Sequence, residues 1–457
     1  MKYFLPILTV TACLFLFAGV LQAQRLIPEP IRESVREHVE SGYAPGIVVA
    51  VYDLGKKEYY AYGHTDVGQK LKVDKNTLFE IGSISKTMTA YLAAREFPEL
   101  TQKELPLGQL LPGGQVWPQV GERPIDLVDL LNHTSGFPRM PANFAPADPQ
   151  NPYADYGRAQ LLESLKSLQL KSAPGATNEY SNYAFGVLTL ILESHSGKSY
   201  AELLSEYLTT PLEMNRTVID EDEIEGFNKS FGHIADERVF NWDFDVMVGA
   251  GGVRSTATDM LTYMIAMMQD RDDPMHNAMQ LCLRETFSVG DGAGVALGWH
   301  TRRIGDSSDT RTAYWHNGQT GGFHSVAAFS PTDHKAVVIL CNSVANIDAL
   351  AFRMFDEGVE LPRLRRSINM SGEELQKYTG SYPLHPNFIL RIFLEGGKLM
   401  AEATGQPPFQ LYPESPTRFF YKVVDADVVF KVEADGSVSG LTLFQEGMEI
   451  PAAKRQE

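Results

Sequence analysis

Phe79-Glu80-Ile81-Gly82-Ser83-Ile84-Ser85-Lys86 is the most informative stretch of this chain. A serine three residues ahead of a lysine, at the start of a helix, has a physical logic. Positions i and i+3 share one helix face, so the ammonium can sit beside the hydroxyl. A desolvated lysine can lose its proton and help activate the serine. The helix N-terminus offers free backbone N–H groups to a developing oxyanion. By itself S-x-x-K is a weak signal, because two fixed positions in four recur by chance. A surface helix start with Ser83 as its N-cap satisfies the same residues.

Two segments further along the chain add to it. Tyr180-Ser181-Asn182 lies where a Pro174-Gly175 loop runs into a helix. A tyrosine beside a lysine can have its pKa lowered, because a neighbouring cation favours the phenolate. It can then serve as general base or proton shuttle. An asparagine amide can fix both the lysine and a substrate carbonyl. A turn followed by a helix cap is the alternative. The other segment is Trp315-His316-Asn317-Gly318-Gln319-Thr320-Gly321-Gly322-Phe323, just ahead of an expected strand. Its small residues let a substrate backbone approach closely. A Gly-rich turn with one incidental histidine is the alternative.

Around these segments the pattern predicts a helix over 29–41, with Ile31, Val35 and Val39 on one face and Gly42 as its stop. Strands follow at Gly46–Asp53 and Glu58–Gly63. A helix begins near Ser83 and runs through Ala94. Helices are expected at 125–132, 158–168 and 182–196, with a Pro-rich loop at 141–157. Strands return at 324–329 and 335–342, and a helix spans 346–357. Strands at both ends with helices between predict an α+β domain whose two hairpins share one antiparallel sheet. Pro362-Arg363-Leu364-Arg365-Arg366 reads as part of a linker over 359–370. Beyond it, apolar runs at 388–394, 398–403, 409–412, 418–424, 427–432 and 438–445 alternate with turns such as Glu395-Gly396-Gly397. Six short strands predict a small antiparallel β domain, a barrel or sandwich, over 371–457.

The composition excludes several classes. Hydrophobic residues at 44% and charged residues at 21% describe an ordinary globular protein. A formal charge of −17 argues against a nucleic-acid partner. Residues 1–23 read as a secretory signal peptide: a positive start, an apolar run from Phe4 to Val20, and Leu21-Gln22-Ala23 at the end. A periplasmic or secreted protein, free of the membrane after cleavage, is therefore expected. A retained anchor and lipidation at Cys13 are the alternatives. Three cysteines cannot form a disulfide scaffold; Cys282 and Cys341 are expected as buried thiols, although the sequence leaves a disulfide open. No HExxH or other metal spacing stands among the eleven histidines, so no metal and no cofactor is expected.

Taken in order, the three segments resemble the serine β-lactamase and penicillin-recognising hydrolase superfamily, on the class C side. Ser83-x-x-Lys86 matches its first motif and Tyr180-x-Asn182 its second. His316-Asn317-Gly318 stands where a Lys-Thr-Gly is expected. Leu130-Leu131-Asn132-His133-Thr134-Ser135-Gly136, Pro211-Leu212-Glu213-Met214 and Gly251-Gly252-Val253-Arg254-Ser255-Thr256 fit the family texture. Glu374-Leu375-Gln376-Lys377-Tyr378-Thr379-Gly380-Ser381-Tyr382 resembles the opening of a small β domain often appended to such hydrolases.

The resemblance implies a hydrolase domain over 24–358: an antiparallel sheet flanked by helices, beside a mostly helical subdomain, with Ser83 at their junction. It implies that Ser83 attacks a carbonyl and forms an acyl-enzyme, that Lys86 and Tyr180 share the proton work, and that the N–H groups of Ser83 and Gln319 form the oxyanion hole. Asn182 would orient the acyl side chain, and His316, Asn317, Gly318 and Gln319 would line the substrate. His133 and Ser135 read as structural. β-Lactam ring opening is the leading activity. A DD-carboxypeptidase or carboxylesterase on the same machinery is the alternative, and a penicillin-binding sensor that acylates without turnover is a further one. The substrate is then a β-lactam, a D-Ala-D-Ala peptide or an ester, and the protein a monomer. His316 departs from the family's lysine. An unperturbed histidine is mostly neutral at pH 7, so activity on carboxylate-bearing substrates is expected to rise as the pH falls.

Overall fold

The computed structural model describes residues 25–455 apart from 101, 112–116, 221–225, 227, 236 and 306–310. The expected signal peptide over 1–23, including Cys13, lies outside the described residues.

β1 (Gly46–Asp53) is rich in Val and Ile and buries its first six residues. β-Branched side chains suit a strand that is packed on both sides. It pairs with β2 (Lys56–Gly63) on one edge. Between them in the chain and the last sheet strands come β3 (Phe287–Gly290), β4 (Ala293–Val295), β5 (His300–Arg303), β6 (Thr312–Gln319), β7 (His324–Ser330) and β8 (Lys335–Cys341). The sheet has eight strands in the order β2-β1-β8-β7-β6-β5-β4-β3. All its pairings are antiparallel. The early and late hairpins thus meet along β1 and β8, where Val49 stands opposite Ile339. β3, β4 and β5 went unread because they are only three or four residues long, too short to show an alternating pattern, and only sheet pairing makes them strands.

Both faces of the central strands are covered. Ile47, Val49, Val337 and Ile339 pack against Ile31 and Val35 of α1 (Glu29–Glu40) and against Leu350 and Ala351 of a late helix (Asp348–Arg353). Val48, Ala50, Val338 and Leu340 face the larger core. That core is built by α2 (Ser85–Glu96), α3 (Asn182–Ser196) and α4 (Ala257–Met267), with shorter helices at Leu127–Leu131 and Arg158–Lys166. Burial on both faces explains why 335–342 reads as an unbroken apolar run. α2 buries every residue from Ser85 to Ala94, polar ones included. A helix buried all round belongs in the middle of a domain, and α2 lies between the sheet and the helical body.

The C-terminal unit is a second eight-stranded antiparallel sheet in which every strand neighbours the next in sequence, from Gly380–His385 to Met448–Ala453. The Arg455 N–H donates to Ser381 O at 2.9 Å, which brings the end of the sheet back to its first strand. The result is a nearly closed barrel around Tyr378, Tyr382, Phe419 and Phe430. The sequence pattern yields six of its strands. The first and last carry Pro383 and Pro451, and a proline within a short run argues against a strand unless the strand lies at an edge. Arg365, in the segment expected as a linker, pairs with Glu414 (2.6 Å) and with Asp427. Lys422 donates to Ser41 O (2.6 Å) just past α1. Cys282 and Cys341 are both free and buried. Among the described residues no helix is long and apolar enough to cross a membrane.

Ile339 is wholly buried at the centre of this arrangement. Ile339→Ala is expected to destabilise the catalytic unit by about 2–5 kcal/mol, read as a lowered denaturant midpoint.

Candidate active site

Gly82–Ile84 forms a 3₁₀ turn, and α2 proper begins only at Ser85. Ser83 therefore sits within the turn rather than capping a helix, and it is partly exposed between buried Gly82 and Ile84. The Ser85 hydroxyl donates to Gly82 O (2.7 Å) and accepts from the Val253 N–H (3.1 Å). That pair ties the turn to the Gly251-to-Thr256 segment. Just before the segment, Ala250 O accepts from Lys86 Nζ at 2.6 Å. Lys86 Nζ also lies 3.1 Å from Ser83 Oγ. Lys86 is wholly buried. Burial holds its pKa well below the usual lysine range, and the charge of Arg139 adds to the effect. A neutral amine beside a serine hydroxyl can accept its proton.

Tyr-Ser-Asn spans a helix entry. Ser181 is the N-cap of α3, its Oγ accepting from the Ala184 N–H at 3.0 Å. Tyr180 precedes the cap and Asn182 is the first helical residue, so the expected helix cap is present and Tyr180 and Asn182 stand on either side of it. The His133 Nδ1 accepts from the Ser181 N–H (3.1 Å), and its ring lies 4.4 Å from that of Tyr180. The Tyr180 ring centre is 4.8 Å from Lys86 Nζ. Burial is the main cause that pushes the Tyr180 phenol well up. The expected lowering is therefore reversed: the buried site disfavours the phenolate as it disfavours the Lys86 ammonium.

The segment expected as a turn before a strand is largely a strand itself, β6, and the turn follows Gln319. Gly318 has to be glycine here. A Cβ on it would stand 2.0 Å from Ile81 O and 2.8 Å from Ser83 N, and one on Gly82 would stand 2.9 Å from Gln319 N. The backbone of Gly82-Ser83 is thus pressed against that of Gly318-Gln319. The Gln319 side chain is exposed, so its backbone is what it offers. Asn317 does not line the site. Side chains alternate along a strand, and its amide donates to Asp348 (2.6 Å) on the far side of the sheet, where His324 also meets Asp348 (2.9 Å).

His316 does face the site. Its Nδ1 lies 2.5 Å from Asn317 O, and its buried Nε2 has no partner among the described residues. Burial drives its pKa well below the usual histidine range, with His300 and Lys86 adding to the effect. His300 is pushed down to about 4, chiefly by burial. Burial thus favours the neutral imidazole at 316, which argues against the rise in activity on carboxylates expected at lower pH. Asn182 Nδ2 donates to the Tyr153 hydroxyl (3.2 Å), leaving its Oδ1 buried and unpartnered among the described residues.

Sequence reasoning missed Arg139, Tyr153, Trp242 and His300. Arg139 was within reach, as the first cation after Leu130-to-Gly136. His300 belongs to no motif and arrives only because β5 pairs it with Trp315.

The family model described as Beta-lactamase matches residues 31–353. The chain belongs to that family. A domain of unknown function, DUF3471, matches 364–454. The Beta-lactamase of Escherichia coli (strain K12) is 26% identical over 379 residues, covering 75% of this chain and 96% of that one. The D-alanyl-D-alanine-carboxypeptidase/endopeptidase AmpH of the same organism is 30% identical over 266 residues, covering 54% of this chain and 68% of that one. The solved Beta-Lactamase/D-Alanine Carboxypeptidase from Pseudomonas syringae superposes with a TM-score of 0.61 at 23% identity, covering 74% of this chain and 100% of that one. The fold of the first unit is the serine β-lactamase fold, as the resemblance implied.

His133 and His316 are both buried with lowered pKa values, burial being the main cause. The unfolded chain, with ordinary histidines near 6.5, then binds more protons than the native one in acid, so stability rises with pH in that range. The denaturant midpoint is expected to fall between pH 7 and pH 5, and His316→Asn to flatten that slope. An unchanged slope in the variant would show that His316 is not held neutral.

Proposed function

We propose that this family member is a serine hydrolase that opens β-lactam rings through an acyl-enzyme on Ser83. The observation that carries the reading is the wholly buried Lys86 amine 3.1 Å from Ser83 Oγ. Lys86 takes the Ser83 proton as Oγ attacks the carbonyl carbon. The oxyanion is met by the N–H groups of Ser83 and Gln319. The ring C–N bond breaks, and its nitrogen takes a proton relayed from Lys86 through Tyr180, which burial keeps in the phenol form. Water then attacks the acyl-enzyme and gives its proton to the Lys86–Tyr180 pair, and Ser83 is restored. The apolar leader over 1–23 supports a periplasmic or secreted setting for this chemistry.

A DD-carboxypeptidase or carboxylesterase is the second reading, and His316 favours it. A buried neutral imidazole offers no fixed cation to a β-lactam carboxylate. The Escherichia coli relative named as a carboxypeptidase/endopeptidase supports it as well.

One comparison tests both readings. The mature protein is incubated with a chromogenic cephalosporin, a short aryl ester and a D-Ala-D-Ala peptide, and turnover is compared with adduct mass. β-Lactam hydrolysis is expected to dominate. A stable adduct without turnover would mean a binder. Ser83→Ala is expected to abolish the adduct, and Tyr180→Phe to lower kcat by about 10²–10⁴ with a smaller effect on KM. An adduct that survives Ser83→Ala would remove Ser83 from the mechanism.

A further inference from the structure

We propose that Arg139 selects acyl groups bearing a carboxylate, an inference that rests on the acyl-enzyme reading of Ser83. Arg139 O accepts from the Asn182 N–H (3.0 Å) and the Tyr183 N–H (3.2 Å), so the two residues Arg139 and Asn182 stand side by side where α3 begins. The Arg139 guanidinium is exposed and lies 5.1 Å from the centre of the Tyr180 ring. Among the described residues it has no ion pair and no hydrogen bond, whereas Arg123 pairs with Asp129 and Arg254 with Glu80. Its charge is nevertheless felt at Lys86, His133, Tyr153 and Tyr180. It is a cation aimed at the site and left without a counter-ion.

The surroundings say which part of a substrate would meet it. Trp242 Nε1 stands 2.6 Å from where a Cβ on Gly321 would be, just past the Gln319 end of β6. The Trp242 ring lies 5.4 Å from that of Tyr153, which stacks on Phe244 at 4.6 Å and holds the Asn182 amide. An aromatic wall thus runs from the oxyanion donors to Asn182, with Arg139 at its far rim. An acyl chain leaving Ser83 along this wall lays its apolar stem on the rings and brings a terminal anion to the guanidinium. A guanidinium takes a carboxylate through two parallel hydrogen bonds. His316, whose burial favours the neutral imidazole, offers no such contact.

The test uses the full chain and three aryl esters. One is the 4-nitrophenyl half-ester of adipate, with a free acyl carboxylate. The next is the same ester with that carboxylate methyl-capped. The last is a butyrate ester carrying a carboxylate on its aryl leaving group. The free-acid adipate is expected to exceed its capped partner in kcat/KM by about tenfold, and the ratio to shrink with added salt. Arg139→Gln is expected to bring the ratio near one, and Arg139→Lys to restore part of it. A ratio unchanged in Arg139→Gln overturns the inference and leaves the acyl-enzyme reading standing. So does an Arg139-dependent preference for the leaving-group carboxylate instead. If the chromogenic cephalosporin acylates Ser83 and none of the esters does, the inference is overturned alone; if neither does, the acyl-enzyme reading fails and the inference falls with it.

Discussion

Burial of Lys86 is the constraint on which the site depends. An ammonium removed from water without a carboxylate partner is costly, and the group responds by giving up its proton. The structure secures that outcome by placing α2 between the sheet and the helical body, where ten successive residues are buried. The contacts that hold the amine are Ala250 O and the Ser83 hydroxyl. Position alone thus favours the neutral amine of an otherwise ordinary lysine. The same dryness keeps the Tyr180 phenol protonated and the His316 imidazole neutral. One desolvated volume sets the protonation state of all three groups.

The remaining architecture brings four separate pieces of chain to that volume. Ser85 ties the Ser83 turn to the segment that supplies Ala250. His133, in a left-handed backbone conformation, accepts a hydrogen bond from the Ser181 N–H and packs its ring at a tilt against Tyr180. β6 comes close enough to the Ser83 turn to leave no room for a Cβ at position 318. These are contacts between segments far apart in sequence, so the site exists only once the sheet and the helical body have closed on α2. The barrel stands outside this set. Lys422 fastens it to the end of α1, and Arg365 fastens the connecting segment to the barrel.

Much of this was legible in the sequence. The helix over 182–196 and the strand over 46–53 have the bounds that periodicity predicts, because strong apolar patterning and end signals coincide there. The barrel was recognisable from its turns, although its two proline-bearing strands were not. What the sequence misread were protonation states and facing directions. The fall expected in the Tyr180 pKa assumed a charged lysine beside it, and the pH dependence expected through His316 assumed a histidine that titrates as in water. Asn317 was taken with its neighbours as substrate-lining, whereas strand alternation sends it to the opposite side of the sheet.

The sequence by itself offered Ser83, Lys86 and Tyr180 as candidates, the first two through a spacing that suits one helix face and all three through their resemblance to the family's motifs. It also determined that a helical body interrupts a sheet and that a β domain follows. Only the tertiary structure decided the charge each group carries, because desolvation depends on what packs around a side chain and not on its neighbours in the chain. It likewise decided which cation borders the site. Arg139 and Asn182 are brought side by side by two backbone hydrogen bonds at the start of α3, and no local pattern encodes that.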